Sequence, residues 1–299
     1  MAGIPGAVRL VSVTVTRYRV IIEITEGMAV IIVFSLLLFL ALLFVLSLRG
    51  RTGHKGLAAL RDWNYAHRGL HGEGKPENSM AAFRAALDGG YGIELDVRLM
   101  KDGTLAVIHD SSLKRTAGVD VRIHDLTAED LADYRLEGTQ ERIPTLPQVL
   151  ELFSGKAPMI IELKLGGDEH AELTRRVCEA LEGYSGSYCI EAFEPKCLCW
   201  LRKNRPDIIR GQLAANYAKN KYIKVPWLKK LALTWNVCNF LTKPDFIAYR
   251  FSERNNPGLL LCRKLWKVQG VAWTLRDPED HATAVKEGWI PIFENYHPQ

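Results

Sequence analysis

The sequence contains few cysteines, and none precedes Cys178. No two of them form a CxxC pair, and the closest pair, Cys197 and Cys199, has neither a matching second pair nor a nearby histidine. This spacing argues against a zinc site, and the absence of cysteine from the first half argues against a disulfide framework. The remaining interpretation is a set of reduced, mostly buried thiols, which favours a cytosolic environment.

Charge is not concentrated in one sign either. The formal net charge is +5, from 39 basic and 34 acidic residues in a chain of 299. A nucleic-acid partner is therefore not predicted, because such a surface needs a denser basic cluster. The chain also lacks internal repeats and low-complexity linkers, and its length suits one large α/β domain or two ordinary ones.

One long run has no charged residue at all, Met28–Leu48, and it ends at Arg49. As an α-helix it would span roughly 30 Å, the thickness of a bilayer core. Residues 1–27 precede it and no small-x-small cleavage site follows, so an uncleaved anchor is favoured over a signal peptide. We therefore predict an N-terminal segment (1–27), a transmembrane helix (28–48) that contacts the lipid bilayer, a linker (49–62) and a soluble domain (63–299).

The basic residues on either side of this run bear on its orientation. Four follow it closely and three precede it, an excess that favours a cytoplasmic soluble domain. These are Arg49, Arg51, Lys55 and Arg61 after the run, and Arg9, Arg17 and Arg19 before it.

The soluble part alternates short β-type runs with helical stretches, which is typical of a parallel α/β fold. Nine such runs are predicted: Asn64–His67, Gly92–Val97, Leu105–His109, Met159–Lys164, Tyr188–Phe193, Ile208–Leu213, Asp245–Phe251, Val268–Thr274 and Ile290–Glu294. The third cannot be parallel to the second, because the few residues between Val97 and Leu105 are too short for a crossover. Eight parallel strands remain, which predicts a (β/α)₈ TIM-type barrel with an insertion over about 98–157, after the second strand.

The connection before Leu105 contains Asp102-Gly103, a strong signal for a two-residue hairpin turn. With these two residues as the turn, counting places Asp96 directly opposite His109 on one face. A bulged three-residue turn would shift the register by one and move His109 to the other face.

Charged side chains gather at the ends of the predicted barrel strands, where the catalytic groups of such barrels lie. Residues two apart on a strand share a face, so Glu94 and Asp96 point together, as do Glu162 and Lys164. Three carboxylates without cysteine form a hard oxygen site suited to Mg²⁺ or Ca²⁺. Histidines can transfer protons near neutral pH, and Arg or Lys can bind an anionic substrate. The pattern predicts a metal-dependent site for phosphate-ester cleavage.

These residues stand in short strings whose order and spacing, from about Tyr65 to the C-terminus, resemble the glycerophosphodiester phosphodiesterase family. The strings are His67-Arg68-Gly69, Pro76-Glu77-Asn78-Ser79, Ile93-Glu94-Leu95-Asp96-Val97, Lys101-Asp102-Gly103, His109-Asp110, Ile143-Pro144-Thr145-Leu146, Ile161-Glu162-Leu163-Lys164 and Trp273-Thr274.

The resemblance implies hydrolysis of glycerophosphodiesters to sn-glycerol 3-phosphate and an alcohol. It assigns acid and base roles to the two histidines of the strings, the divalent metal to the three carboxylates, and the substrate to one arginine, one lysine and one tryptophan. In this sequence those residues are His67 and His109; Glu94, Asp96 and Glu162; and Arg68, Lys164 and Trp273.

Some positions depart from the family pattern. Glu294-Asn295 stands where Thr-Asp is common, and Glu191-Ala192-Phe193 stands where serine-phenylalanine is commoner, which leaves Glu191 without an assigned role. His71, His124, His170, His281 and His297 have no supporting context and are expected at the surface.

Several alternatives remain open. The same site could serve a lysophospholipase D or a polyglycerolphosphate hydrolase, and a non-catalytic, membrane-tethered phosphate-binding domain is the alternative from another class. The lysine-bearing stretch Lys219–Lys243, with Trp227, Trp235 and Phe240, could be a membrane-facing or substrate-entry helix, although core packing with one solvated face is favoured.

Overall fold

The computed structural model describes residues 5–219 and 225–298, and of residues 5–24 it describes the backbone alone. Residues 1–4, and residues 220–224 of the lysine-bearing stretch, lie outside the described chain. The chain divides into two compact units between Ser47 and Leu48.

The first unit is one α-helix, α1, Pro5–Ser47. Its section Thr25–Ser47 has 23 residues with a mean hydropathy of 3.3, and none of its most apolar window is buried. This section is long and apolar enough to cross a membrane. It contains nearly all of the predicted span.

The second unit is a closed parallel barrel. Its strands pair in the circular order β1, β2, β4, β5, β6, β7, β8, β9, and the ninth pairs back with the first. Within the described residues there are nine strands, one for each predicted run: β1 Tyr65–His67, β2 Gly92–Leu99, β3 Leu105–Val107, β4 Met159–Leu163, β5 Tyr188–Ala192, β6 Arg210–Ala214, β7 Phe246–Arg250, β8 Gln269–Leu275 and β9 Trp289–Phe293. The predicted TIM-type barrel is confirmed.

Helices surround the barrel, and most of them bury apolar residues on its outer side. Along the described part of the second unit they are α2 Ala58–Arg61, α3 Met80–Asp88, α4 Lys114–Ala117, α5 Leu146–Phe153, α6 His170–Ala180, α7 Pro195–Asn204, α8 Trp227–Thr234, α9 Asn239–Thr242, α10 Pro257–Lys264 and α11 Pro278–Lys286, with 3₁₀ turns at Lys55–Leu57, Ile123–Asp125, Glu129–Asp133, Tyr217–Lys219 and Phe251–Glu253.

Local signals explain where these helices begin. Helix α3 starts after Ser79, whose Oγ accepts the N–H of Ala82 at 3.1 Å, and it buries Phe83. Helix α5 follows a capping box, in which the N–H of Thr145 donates to Gln148 Oε1 at 2.9 Å.

The hairpin register differs from the prediction by one residue. Strand β3 does run antiparallel to β2, but Val97 pairs with Val107. The turn has three residues, because the N–H of Met100 donates to Thr104 O and Gly103 takes a positive φ of 87°. This is the bulged turn, in which a left-handed glycine adds one residue to the connection. Asp96 therefore lies opposite Ile108, whose N–H donates to Asp96 O at 2.9 Å.

The insertion after β2 has a small core of its own. Ile108, Leu113, Leu126 and Ile143 belong to that core. Helix α5 instead packs into the main core, so the excursion ends before α5 rather than near residue 157.

The segment expected as a linker packs onto the barrel. Leu48 and Leu60 are buried, and Arg51 pairs with buried Asp245 through Nε at 2.6 Å. Arg51 N–H also donates to Pro244 O at 2.8 Å. These contacts lie at the N-terminal ends of the barrel strands, so the compact unit begins at Leu48.

Candidate active site

A cavity of about 560 Å³ opens at the C-terminal ends of the barrel strands. It is lined by seven of the eight residues predicted for the site, namely His67, Arg68, Glu94, His109, Glu162, Lys164 and Trp273. The eighth, Asp96, is buried between them at 1% exposure. The structure thus brings the whole predicted set together.

Three carboxylates form the floor of this site. Glu94, Asp96 and Glu162 each offer an oxygen, and these oxygens lie within 4.8 Å of one another. Burial, together with the charges of Asp96 and Glu162, raises the pKa of Glu94 well above its usual value. Burial also raises the pKa of Glu162 to about 7, although Lys164 opposes it. A divalent cation would relieve this repulsion, and three hard oxygens suit one. The residues present therefore fit a divalent metal.

Asp96 is held in place by its neighbours. Asn78 Nδ2 donates to its Oδ2 at 2.9 Å, and Arg68 Nε lies 3.4 Å from the same oxygen. Lys164 Nζ lies 3.2 Å from Oδ1. Burial alone would raise the pKa of Asp96, but Lys164 and Arg68 reverse the effect and hold it below its ordinary value. Asp96 is the carboxylate that stays ionised.

The two residues after β1 shape the entrance to the site. Arg68 has a φ of 56°, and its N–H donates to Glu94 Oε2 at 3.1 Å. Gly69 follows with a φ of 80°, and a Cβ there would come within 2.9 Å of the Ala82 Cβ. This position therefore requires glycine. The His-Arg-Gly string is explained by the tight turn that aims Arg68 across the carboxylates.

His67 stands between two carboxylates. Its Nε2 lies 3.9 Å from Glu94 Oε2, and its Nδ1 lies 3.6 Å from Glu294 Oε1. Glu294 also contacts His71 Nε2 at 3.2 Å and pairs with Arg276. Burial lowers the pKa of His67 below its usual value despite these acids. Glu294 therefore helps to hold the His67 ring in position.

His109 reaches the site even though the predicted register is wrong. Strand β3 ends at Val107, and Arg98 Nε and Nη2 donate to the His109 carbonyl at 2.8 and 2.7 Å. The strand alternation no longer applies beyond Val107, so the ring turns into the cavity. Its Nδ1 lies 2.6 Å from Asp110 Oδ1, and Arg115 holds Asp110 from the other side. Burial lowers the pKa of the ring.

Aromatic residues form the wall opposite the carboxylates. Phe193 and Trp273 meet edge to face at 5.8 Å between ring centroids. Lys164 Nζ lies 5.8 Å from the Phe193 ring centre, and the Arg250 guanidinium lies 5.3 Å from that of Trp273. An apolar wall beside paired charges suits a substrate with both an anionic and an aliphatic part.

A fourth carboxylate lines the same cavity. Glu191 is 1% exposed and pairs in register with Glu162 on the neighbouring strand. Burial, and then Glu162, raise its pKa well above the usual value. Glu191 therefore favours its protonated form, as Glu94 does.

Three supporting residues received no role from the sequence. Asn78 orients Asp96, Arg98 positions His109, and Glu294 supports His67. Asn78 stands in one of the strings that carry the family resemblance, and that string could have indicated a role for Asn78 in the site. Arg98 and Glu294 follow from contacts that link distant parts of the chain, and sequence pattern alone does not show them.

Of the five histidines expected at the surface, His124 and His297 are exposed, His170 is half-buried, and two more are covered by other parts of the chain. His71 is half-buried against Glu294. His281 is buried, with Nδ1 2.7 Å from the Tyr296 hydroxyl. Both expectations were wrong, because the C-terminal residues fold back over the barrel and cover these rings.

Comparison with known proteins identifies relatives of the chain. It matches the model of the glycerophosphoryl diester phosphodiesterase family over residues 67–297. It is 36% identical over 243 residues to a glycerophosphodiester phosphodiesterase from Bacillus altitudinis, with 75% of this chain and 97% of that protein covered. It is also 36% identical over 132 residues to lysophospholipase D GDPD1 from Rattus norvegicus, with 40% of each covered.

Solved structures show the same fold. A phosphodiesterase from Oleispira antarctica, solved with its product sn-glycerol-3-phosphate, has a TM-score of 0.66. The two proteins are 22% identical, and the match covers 83% of this chain and 96% of that one. At this identity the likeness concerns the fold alone.

The barrel and the family match define an enzyme that cleaves phosphodiesters. More particularly, the chain belongs to the glycerophosphoryl diester phosphodiesterase family. The reaction of that family is the hydrolysis of glycerophosphodiesters, and the three clustered carboxylates form a possible metal site for it.

Proposed function

We propose that this chain is a membrane-held enzyme that hydrolyses glycerophosphodiesters to sn-glycerol 3-phosphate and an alcohol. Glu94, Asp96 and Glu162 hold one divalent cation, Mg²⁺ or Ca²⁺, and His67 and His109 act as acid and base. The observation that supports this most directly is the cluster of three carboxylate oxygens within 4.8 Å, in a cavity that both histidines line.

The bound cation would supply charge stabilisation for a phosphoryl oxygen. The protein adds its own positive charge beside it. Lys164 Nζ lies 2.7 Å from Glu162 Oε1, and Arg68 lies against Asp96. The positively charged side chains of Lys164 and Arg68 therefore border the metal site. An anionic phosphodiester placed between them would be oriented before reaction, which lowers the entropy cost of the chemical step.

The two imidazoles provide proton transfer. Donation of Nδ1–H by His109 to Asp110 leaves Nε2 as an acceptor, on a ring that lines the cavity. His67 lines the same cavity, with its ring held by Glu94 and Glu294. One ring takes the proton from the glycerol hydroxyl that attacks phosphorus, and the other gives a proton to the alcohol whose P–O bond breaks. Water then opens the resulting cyclic phosphate to give glycerol phosphate. Trp273 and Phe193 pack against the glycerol part.

The membrane attachment rests on α1. Residues 28–47 of the predicted span are proposed as a single membrane pass, because Thr25–Ser47 is long and apolar enough, whereas Leu48 is buried in the barrel unit. The soluble unit is proposed to be cytoplasmic, and the excess of basic residues after the span supports this. Of those residues, Arg51 also has a structural role, because it forms the ion pair with Asp245.

The metal requirement is tested first. Full-length protein in detergent would be assayed for glycerol 3-phosphate release from glycerophosphocholine, before and after EDTA and after Mg²⁺ or Ca²⁺ is restored. We expect EDTA to abolish activity and one of the two ions to restore it. Activity that survives EDTA would remove the metal from the mechanism.

A binding measurement assigns the ligands without relying on catalysis. Mg²⁺ or Ca²⁺ should raise the melting temperature of the wild type but not of Glu162→Gln. Glu191→Gln is the matched control, because it changes a buried carboxylate of the same cavity outside the cluster of three. An equal loss of the metal-induced shift in both variants would contradict the assignment.

The acid and base are tested by single substitutions. His67→Ala and His109→Ala should each lower kcat by about 10²- to 10⁴-fold, the usual contribution of a positioned acid or base. His124→Ala is the control, since His124 is exposed and does not line the cavity. A kcat near that of wild type in either variant would contradict the acid or base role of that histidine.

A further inference from the structure

Exposed apolar side chains concentrate in one region of the barrel unit. Eight large apolar residues outside α1 are exposed in the described chain, and five of them lie between residues 227 and 241. These five are Trp227, Leu228, Leu231, Phe240 and Leu241, called here the flank patch. Single exposed apolar residues are normal, but a concentrated group marks an interaction surface. The expectation of core packing is therefore wrong for these residues.

The α8 part of the patch lies at the rim of the catalytic cavity. Helix α8 ends at Thr234, whose carbonyl accepts from the Tyr249 hydroxyl near the end of β7. The segment before α8 follows β6, and its Tyr217 ring lies 6.4 Å from Phe193, which lines the cavity. Leu231 lies three residues after Leu228 and four residues after Trp227, so the three side chains fall on one side of α8.

The α9 part of the patch lies at the other end of the same barrel flank. Asn239 Nδ2 donates to Leu48 O at 3.1 Å, and Lys243 Nζ donates to Arg49 O at 3.1 Å. Leu48 is the residue that follows α1. Phe240 and Leu241, beside Asn239, therefore lie close to the point where the chain passes from the apolar helix into the barrel. The patch extends from that point to the rim of the cavity.

The charge of the stretch that contains the flank patch indicates which kind of surface covers it. The stretch from Ala215 to Lys243 contains six lysines and no acidic residue. Lys219 and Lys229 are exposed within it. Tryptophan and leucine on one side with lysines beside them are the composition of helices that lie in the interface of anionic membranes. A neutral protein partner would not require a stretch free of acidic residues.

We propose that the flank patch lies on the surface of an anionic lipid bilayer and brings the rim of the catalytic cavity to that surface. This rests on the proposed function, and it extends the substrate class of the same site to lysophospholipids whose acyl chain stays in the bilayer. The relative named lysophospholipase D GDPD1 is consistent with such a substrate.

A site-specific label tests the docking without using activity. Leu228→Cys and, as matched control, Val285→Cys would be labelled with an environment-sensitive fluorophore in full-length protein in nanodiscs. Val285 is exposed to a similar extent but lies on α11. Four native cysteines are buried and two, Cys199 and Cys238, are half-buried, so wild type treated with the same fluorophore gives the background to subtract.

With phosphatidylglycerol present, brominated lipids should quench the label at 228 at least threefold more than the label at 285. Omitting the anionic lipid should weaken that difference. Equal quenching at both positions would overturn the proposal. Energy transfer between labelled copies, without quenching at 228, would also overturn it and show a surface between copies.

Kinetics test the substrate class. Trp227→Ser combined with Leu228→Ser should raise KM for lysophosphatidylcholine in anionic nanodiscs about tenfold or more, and should leave kcat/KM for soluble glycerophosphocholine within about twofold. Val285→Ser should change neither. An unchanged KM for the bilayer substrate would refute the inference. If neither substrate is hydrolysed by wild type, the proposed function fails, whereas the label still decides the docking.

Discussion

Replacing Asn78 by alanine is expected to weaken metal binding by disturbing one ligand. Asn78 is 2% exposed, its Nδ2 donates to Asp96 Oδ2 at 2.9 Å, and its Oδ1 accepts the N–H of Asp96 at 3.3 Å. A hydrogen bond to a charged group contributes roughly 1.5–3 kcal/mol. Applied to the metal-bound state, that energy corresponds to a change of about 10- to 100-fold in affinity, which matches the effect typical of residues behind a metal ligand.

The assay is activity as a function of free Mg²⁺ or Ca²⁺, with melting curves on the same samples. Asn78→Ala should raise the metal concentration for half-maximal activity by about 10- to 100-fold. It should also lower stability, partly because Asn78 has a φ of 54°, where alanine is strained.

The control for this prediction is Asn239→Ala. Asn239 is fully buried and donates to Leu48 O at the opposite end of the barrel. It should lose about 1 kcal/mol of stability with no change in metal requirement. The reasoning is refuted if Asn78→Ala leaves the metal requirement within twofold of wild type, or if Asn239→Ala raises it equally.

Two further predictions follow from the site geometry. Burial lowers the pKa of His109, so its ring should stay neutral down to a pH below 6.5; with His109 as the base, the acid limb of kcat/KM should have its midpoint there. Asp110 raises that pKa, so Asp110→Asn should move the midpoint to still lower pH; a shift to higher pH would contradict this. Gly69→Ala should lower the free energy of unfolding by about 1–3 kcal/mol, since its φ is 80° and a Cβ would lie 2.9 Å from the Ala82 Cβ. Gly72→Ala, with open space around it, should be nearly neutral in the same denaturant titration, and equal losses would contradict the steric argument.

Local pattern in the sequence determined the elements and their type. Short apolar runs between turn residues are typical of buried strands, so all nine strands could be predicted from the sequence. A parallel crossover needs more chain than the few residues between Val97 and Leu105. The sequence alone therefore predicted that β3 is antiparallel to β2. The same parallel order brought Glu94, Asp96 and Glu162 together, since the carboxyl ends of parallel strands meet at one end of a barrel.

Only the tertiary structure decided the hairpin register and the support of the site. Two- and three-residue turns around Asp102-Gly103 differ by one left-handed residue. The structure has the longer turn, which pairs Val97 with Val107 and leaves Ile108 in the insertion core. The contact between His67 and Glu294 joins groups more than two hundred positions apart, and pattern along the chain does not encode it.

Exposure was the other property that the sequence by itself did not determine. An amphipathic pattern shows that a helix has an apolar side, but not whether a neighbour covers it. The packing of the barrel leaves Trp227 and Leu228 exposed, whereas Leu48, at the end of the most apolar run in the chain, is buried against the barrel. Composition sets which side chains are apolar, and the arrangement of distant segments decides which of them meet water, lipid or protein.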